Sequence, residues 1–488
     1  MRKSPALLAC VILAACQSPD IATTSQSGGM SGADGSAPLT ATDAAAATTA
    51  GGMSTSSAPL PTTEPSAPGG STSTTITTTT TLSSDPVATT DSTDSTATSS
   101  TSSTTGTTGA PPEPPWTPKG CPALYAQDLL PTFELEISDK ELSKLKNEWE
   151  LGDEDNLAEH PLLAFKYQDH IVTTATVSLR GNSKWWPQMG KKMQLEVAFN
   201  TVDPKGRFMG LRKLLFDAAR YNESFLRDRL ALAILNDVGL PAPCANNARV
   251  VLNGEYFGLF TSIEKVDKEV LERRFEDPEG NLYKRQGWAK KTNDADMDVS
   301  DIEALLAAKT LGDLEKLMHL DEALLEWAAE AVIPNGDGTW AGGLNGYYYN
   351  DPKTGFNVIP WDLDATFTRL PETTDPYLYL KPDDWGRPFY DITTADPVWF
   401  DNYIEKLAYV LEHGYNVDVL QARMDAWAAQ IADAAAEDPN KPFSLADHLL
   451  AVQEQRDYVA KRAEYLKSWL ACWQNGGTKT KAGKCKPA

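Results

Sequence analysis

The sequence predicts an α+β domain carried behind a long unstructured amino-terminal segment. Three observations predict it. Alternating strand patterns crowd residues 133–285, helical periodicity prevails from about residue 300 to 472, and residues 17–115 hold almost nothing apolar to bury.

Phe133 to Ile137 alternates like a strand, and Ser138 with Glu141 three residues on forms a capping box for a helix running to about Trp149. Thr173–Leu179 and Lys192–Phe199 alternate again and flank the loop Arg180–Gly190, which predicts antiparallel strands bridged by a functional loop. After the short apolar run Leu214–Phe216 comes a helix from about Ser224 to Asp237, stopped by Gly239 and Pro241. Ala248–Leu252 and Tyr256–Ile263 surround Asn253-Gly254, the strongest hairpin signal in the chain. A helix near Lys268–Phe275 leads to the strand Asn281–Arg285. Asp301–Ala308 and Asp313–Val332 are periodic helices, and Tyr347–Asn350 and Phe356–Pro360 are strands joined by the turn Asp351–Gly355. Leu370–Pro397 reads as a long connection, and three helices fill 398–472.

Arg2-Lys3 before the apolar run Ala6–Ala15 has the order of a secretory signal peptide over residues 1–15. Leu13-Ala-Ala-Cys16 resembles a lipobox, making Cys16 the lipidated first residue of the mature chain and its sole membrane attachment. Gln17 after the anchor favours the outer membrane, so the expected location is the cell envelope or surface. Residues 16–115, rich in Ser, Thr and Pro and without Lys or Arg, form a stalk with a reach of roughly 50 to 60 Å. Residues 116–488 then carry the folded domain, with an amino-terminal lobe over about 125–290 and a carboxyl-terminal lobe over about 291–475.

The 488-residue chain carries a net charge of −23, and residues 116–488 alone hold 59 acids against 42 bases. That balance argues against nucleic acid or anionic membrane as a partner. Beyond Cys10 and Cys16 four cysteines remain, an even number in an oxidising compartment. Cys472 with Cys485 is the favoured clasp. Cys121 and Cys244 are left over by arithmetic.

Three stretches concentrate polar chemistry. Arg180-Gly-Asn-Ser183 and Lys191-Lys192 place cations at a loop and strand start, where they face phosphate or simply protect a strand edge. Asn335-Gly-Asp-Gly338 follows a helix, and Trp361-Asp-Leu-Asp364 ends an apolar strand. Paired acids at a strand end are suited to holding Mg²⁺ beside polyphosphate, whereas the same residues also make turns and caps. Asp294, Asp296, Asp298 and Asp301 mimic the opening of a calcium loop, yet Val299 stands where its glycine belongs and Leu305 at its twelfth position. Trp185, Trp186 and Tyr347–Tyr349 read as core and rim rather than a sugar platform. No histidine triad, Gly-x-Gly-x-x-Gly or P-loop occurs.

The ordered series Leu179-Arg-Gly-Asn-Ser183, Lys191-Lys192, Leu226-Arg-Asp-Arg-Leu230, Gly239–Pro243, Leu252–Leu259, Glu264, Gly280–Lys284 and Ile359-Pro-Trp-Asp-Leu-Asp364 resembles the CotH (spore coat protein H) kinase family, clearly over Phe133–Phe367. The resemblance implies a two-lobed kinase-like fold with a sheet-rich amino-terminal lobe and a mainly helical carboxyl-terminal lobe. It implies transfer of the γ-phosphoryl of ATP, with Mg²⁺ or Mn²⁺, to Ser or Thr of a protein substrate. Asp337 matches the family's catalytic Asp and Asp362 its metal-binding Asp, with Asp364 in support. Asn345 matches the Asn that follows the catalytic Asp and is an implied metal ligand, although Thr339–Leu344 are inserted before it. Lys192 or Lys191 matches the phosphate-binding Lys, with only one of them facing inward. Glu264 is its implied partner, and Arg180 is an implied phosphate contact. Two other readings are a catalytically silent assembly module and an envelope-glycan hydrolase built on Asp337 and Asp362.

Overall fold

The computed structural model describes residues 117–118, 120–152, 157–380 and 386–488. The signal peptide expected over 1–15, the Cys16 anchor and the stalk lie outside the described residues. Among those described, no helix is long and apolar enough to cross a membrane.

Eight strands of the amino-terminal half form one sheet: β1 (Thr132–Ile137), β2 (His160–Tyr167), β3 (His170–Val172), β4 (Thr176–Leu179), β5 (Leu195–Ala198), β6 (Lys213–Asp217), β7 (Ala245–Leu252) and β8 (Glu255–Ile263). Their order is β1-β7-β8-β6-β5-β4-β2-β3, and β1 also pairs with β2, so seven strands close on themselves and β3 hangs on the edge of β2. Closure removes the open edges that a sheet would otherwise have to protect. Only β1–β7 is parallel among these pairs. Inside the ring, Phe133 stacks on Phe165 with centroids 5.5 Å apart, and Phe199, Phe208, Phe216 and Phe260 complete a buried aromatic core.

The carboxyl-terminal half has its own core, built by the helices Leu320–Val332, Pro397–His413, Val417–Glu437 and Leu445–Gln474 around a four-stranded sheet. That sheet contains β9 (Asn281–Lys284), β10 (Ala289–Lys290), β11 (Tyr347–Asp351) and β12 (Gly355–Ile359), in the order β10-β9-β11-β12. The α+β class and the two lobes follow from these two cores. The border expected near 290 falls inside the second sheet, because β9 and β10 hydrogen-bond with β11.

Most local signals produce the elements they announce. Ser138 accepts the Glu141 amide at the start of the helix Asp139–Leu151, while the Glu141 side chain turns to Lys144 and His160 instead of closing the box. Asn253 and Gly254 take φ of 51° and 83° between β7 and β8, the left-handed pair that a two-residue hairpin needs. Two expectations need correction, and one stretch carried no assignment. The periodic stretch 313–332 is two helices, Leu311–Leu317 and Leu320–Val332, parted where Met318 turns extended. The connection 370–397 contains the helix Pro388–Ala395, opened by a proline at its first position. Residues 157–172, not assigned above, supply β2 and β3.

Cys472 bonds to Cys485 and Cys121 to Cys244. The calcium-like loop is spent on itself: Asp298 accepts the Ser300 amide, and Asp301 accepts Asn281, Asn350 and the Tyr283 hydroxyl. Trp186 and Tyr347–Tyr349 are all buried, as core rather than platform.

Candidate active site

The ends of both sheets meet at one cleft. From the closed sheet come Arg180, just past β4, and Asp217, the last residue of β6; the Arg180 Nη1 lies 2.9 Å from Asp217 Oδ2. From the second sheet come Lys284, at the end of β9, and Asp362 and Asp364, just past β12. Asp228, in the first turn of the helix Arg227–Asp237, and Asp337, in the loop after Leu320–Val332, complete the group.

These side chains act on one another's titration. Burial, then Asp217 and Asp362, push the Asp228 carboxyl up to about 7 against the pull of Arg227 and the Leu363 amide. Burial, then Asp362, Asp228 and Asp217, hold Asp364 well above the usual carboxylate range, with Arg220 opposing. Loss of hydration and then Asp217 raise Asp362, Asp337 adds to the rise, and Arg180 and Lys284 oppose it. Asp362 is solvent-exposed, with Asp217, Asp337, Arg180 and Lys284 within electrostatic reach. The upward direction stands on the carboxylates around it. Facing them, burial lowers the Lys284 ammonium, Asp362 opposes, and Lys265, Lys291 and Arg180 lower it further. Each sheet thus contributes both a cation and carboxylates to the group.

The backbone around the cleft is under tension. Ala219, Tyr221, Phe225, Asp362 and Phe367 take φ between 52° and 58°, a region that costs a non-glycine residue about 1 to 3 kcal/mol and gathers at functional sites. Arg227 ties this backbone together by donating to the Tyr221 and Asp364 carbonyls and to the Thr368 hydroxyl.

Asp337 meets Asn345 across the inserted residues. The Asn345 amide nitrogen lies 3.2 Å from the Asp337 carbonyl, and its Nδ2 lies 3.2 Å from Asp337 Oδ2. The insertion folds into a turn that returns the chain: the Gly343 amide donates to the Gly338 carbonyl at 2.8 Å. A Cβ at Gly343 would sit 1.8 Å from the Asp337 carbonyl oxygen. Sequence spacing put Asn345 too far along; the turn cancels the added length.

One expectation about cations fails. Of the two lysines Lys192 is the one that faces inward, and Lys191 is exposed. Lys192 does not pair with Glu264. Its Nζ lies 2.6 Å from Asp438 Oδ2, also donates to the Leu259 carbonyl, and rests over the rings of Phe225 and Phe260. Glu264 instead accepts Arg273 and the Cys244 amide. Lys192 is buried, and Asp217 of the cleft is within its electrostatic reach. Lys284 is placed in the cleft. Asp217, Asp228 and Lys284 were missed as site residues, although Asp228 and Lys284 lie within the motif series and Asp217 ends the run Leu214–Phe216.

Among the described residues, no group of three or more His, Cys, Asp or Glu side chains is arranged to hold a metal ion. A magnesium ion bound with a nucleotide takes only one or two carboxylates and completes its shell with phosphate oxygens and water. Asp362 and Asp364, raised by burial first and then by neighbouring carboxylates, suit that role because a cation would offset both.

Residues 177–471 match the CotH kinase protein family model, more than half of the chain. The chain is 24% identical to the inner spore coat protein H of Bacillus subtilis over 379 residues, covering 71% of this chain and 99% of that protein. It is 22% identical to an inner spore coat protein H-like protein of the same organism over 275 residues, 51% of this chain and 80% of the other. Helicobacter pylori proinflammatory kinase CtkA aligns over 58% of this chain and 95% of its own at 11% identity, with a TM-score of 0.31, too loose a likeness to bear on the site. The chain therefore belongs to the CotH kinase family.

Proposed function

We propose, from membership of the CotH kinase family as premise, that this chain is a Ser/Thr protein kinase that uses ATP and Mg²⁺ or Mn²⁺ to phosphorylate a protein of the cell surface or envelope. The observation that carries the proposal is the cleft in which carboxylates that raise one another's titration face Arg180 and Lys284. Phosphoryl transfer asks a protein for positioning and charge more than for covalent chemistry. Asp362 and Asp364 would hold the divalent ion, which when bound neutralises charge on the phosphate oxygens. Arg180 and Lys284 face the phosphates. Asp337, with its carboxylate fixed by Asn345 Nδ2, orients the acceptor hydroxyl and takes up its proton.

The test is transfer of labelled phosphate from ATP by the purified full chain, with Mg²⁺ or Mn²⁺, to basic and Ser-rich proteins. Metal-dependent label on Ser or Thr is expected. Absence of both transfer and metal-dependent ATP binding would reduce the protein to a silent assembly module, and glycan cleavage without ATP would replace the reading with a hydrolase. The envelope location rests on the sequence around Cys16: Cys16→Ser is expected to release the chain from membranes, and continued membrane association of that variant overturns the anchor.

A further inference from the structure

Beneath the Asp337 loop lie two glutamates one turn apart on the helix Leu320–Val332, Glu326 and Glu330, both fully buried. Neither touches the cleft. Glu330 Oε1 accepts Asn335 Nδ2 at 2.8 Å, and its Oε2 accepts the Trp340 amide at 2.8 Å and the Thr339 hydroxyl at 3.2 Å. Asn335 in turn accepts the Asp337 amide on its Oδ1 at 3.3 Å. A chain of hydrogen bonds therefore runs from Glu330 through Asn335 to the backbone of Asp337. Trp340 is pinned from outside as well, since its Nε1 donates to the Pro376 carbonyl and Arg387 donates to its own carbonyl, each at 3.0 Å.

Thr339 Oγ1 also lies 3.0 Å from Glu326 Oε2. A hydroxyl carries one hydrogen, so between two carboxyl groups it donates to one and accepts from the other, and the one it accepts from must be protonated. Glu330 receives two N–H donors and is the natural anion. Glu326 receives none, and its Oε1 is buried with no hydrogen-bond partner. Burial, then Glu330, holds Glu326 well above the usual carboxylate range, whereas Glu330 is pushed only to about 7 by burial, its donors opposing. The Tyr348 hydroxyl is within electrostatic reach of both glutamates.

We propose that Glu326 and Glu330 share one proton through Thr339 and that the ionised member, Glu330, is a positioning residue that sets the Asp337 loop for phosphoryl transfer. The proposal rests on the kinase reading for its effect on turnover, and on the hydrogen bonds alone for its effect on the loop.

Two isosteric substitutions separate the members. Glu326→Gln supplies with its amide the hydrogen that a protonated glutamate gives Thr339, and it is expected to keep kcat within about twofold of wild type. Glu330→Gln sets an amide N–H against Asn335 Nδ2 or against the Trp340 amide, and it is expected to lower kcat roughly 10- to 100-fold while KM for ATP moves little, as misplacement of a catalytic group does. Equal losses in the two variants, or near-wild-type kcat in Glu330→Gln, overturn the proposal. A merely structural role would lower both melting temperatures without parting kcat from KM. Where Glu330→Gln does not fold, Asn335→Ala cuts the same relay nearer to Asp337 and is expected to give the same split. If the wild-type chain transfers no phosphate, the kinase reading is what fails. Amide hydrogen exchange over residues 335–345 then reads the relay directly, faster in Glu330→Gln and unchanged in Glu326→Gln. Equal exchange in both refutes it.

Discussion

Two charged clusters, one around Lys192 and Asp438 and one around Asp362, are built on opposite terms. At the first, Lys192 and Asp438 are both wholly buried, and every strong donor or acceptor in reach is used: Asp438 accepts Lys192, the Leu259 amide at 3.0 Å and the Asn440 amide at 2.9 Å. Gly258 lets the two lobes come this close, since a Cβ there would sit 2.8 Å from Asp438 Oδ1. At the second, Asp217, Asp228, Asp362 and Asp364 crowd together, and the protein tolerates raised carboxyls at Asp228, Asp362 and Asp364 and a strained Asp362 backbone. A satisfied pair fastens the lobes. A dissatisfied cluster lowers its own stability, which a fold keeps at a functional site and seldom elsewhere.

That contrast is sharpened first at the cleft, where the largest effects are expected. Asp337→Asn preserves the turn but removes the anionic oxygen that Asn345 steadies, and transfer is expected to fall by roughly 10²- to 10⁴-fold with ATP affinity little changed. Near-wild-type transfer in a normally folded variant would take Asp337 out of catalysis. Asp362→Asn should behave differently. Asparagine tolerates the positive φ, so the domain should melt as the wild type does while metal-dependent nucleotide binding is lost; unchanged binding in calorimetry would break the assignment.

The sealed pair should respond in stability instead. Asp438→Ala leaves the Lys192 ammonium buried without its counter-charge, a change that costs about 3 to 5 kcal/mol where a buried pair is broken from one side. Chemical denaturation of Asp438→Ala beside Asp362→Asn measures the difference directly. The double variant Lys192→Met with Asp438→Asn should recover much of the loss, because neither partner is then a stranded charge. A loss below about 1 kcal/mol for Asp438→Ala, as at an exposed pair, would mean that water reaches Lys192 and that the two clusters are not opposites.

How much of this was legible in the sequence depended on the range of the contact. Ser138, Asn253 and Gly254 act within a few residues, and the helix start and hairpin they announce are present. Asp337, Asp362 and Asp364 were singled out by the family resemblance, since loops and strand ends of that composition also make turns and caps. The partner of Lys192 was missed for a physical reason: it is 246 residues away, on the connection between two helices, and no local pattern marks Asp438 as a buried anion. Glu264 misled in the same way, since only the fold brings Arg273 to it. Asn345 looked misplaced because spacing counts residues, whereas a turn through Gly343 sets the distance. His160 and the rest of β2 were missed because Pro161 and Lys166 interrupt the alternation; closure of the sheet, a tertiary event, makes them a strand.

The smallest effect concerns protons and the cation at the open cluster. Asp228 titrates near 7 in the folded chain, well above an unfolded aspartate. Between the unfolded and folded values the native state keeps a proton that the unfolded state has released, so stability is fully present below about pH 4 and is lost as pH rises through 7. A divalent ion competes with those protons for the same carboxylates, and its affinity should grow as they leave. At ten times its dissociation constant such an ion adds about 1.4 kcal/mol, a shift in melting temperature of about 1 to 3 °C for a domain of this size. The expected record is a Mg²⁺-induced rise in melting temperature at pH 8 that vanishes at pH 5 and is absent from Asp362→Asn at both. Asp438→Ala, though less stable overall, should keep the wild-type increment, because its charge belongs to the sealed pair. An increment equal at pH 5 and pH 8, or one that persists in Asp362→Asn, would place the ion elsewhere on an acidic surface and leave the cleft without its cation.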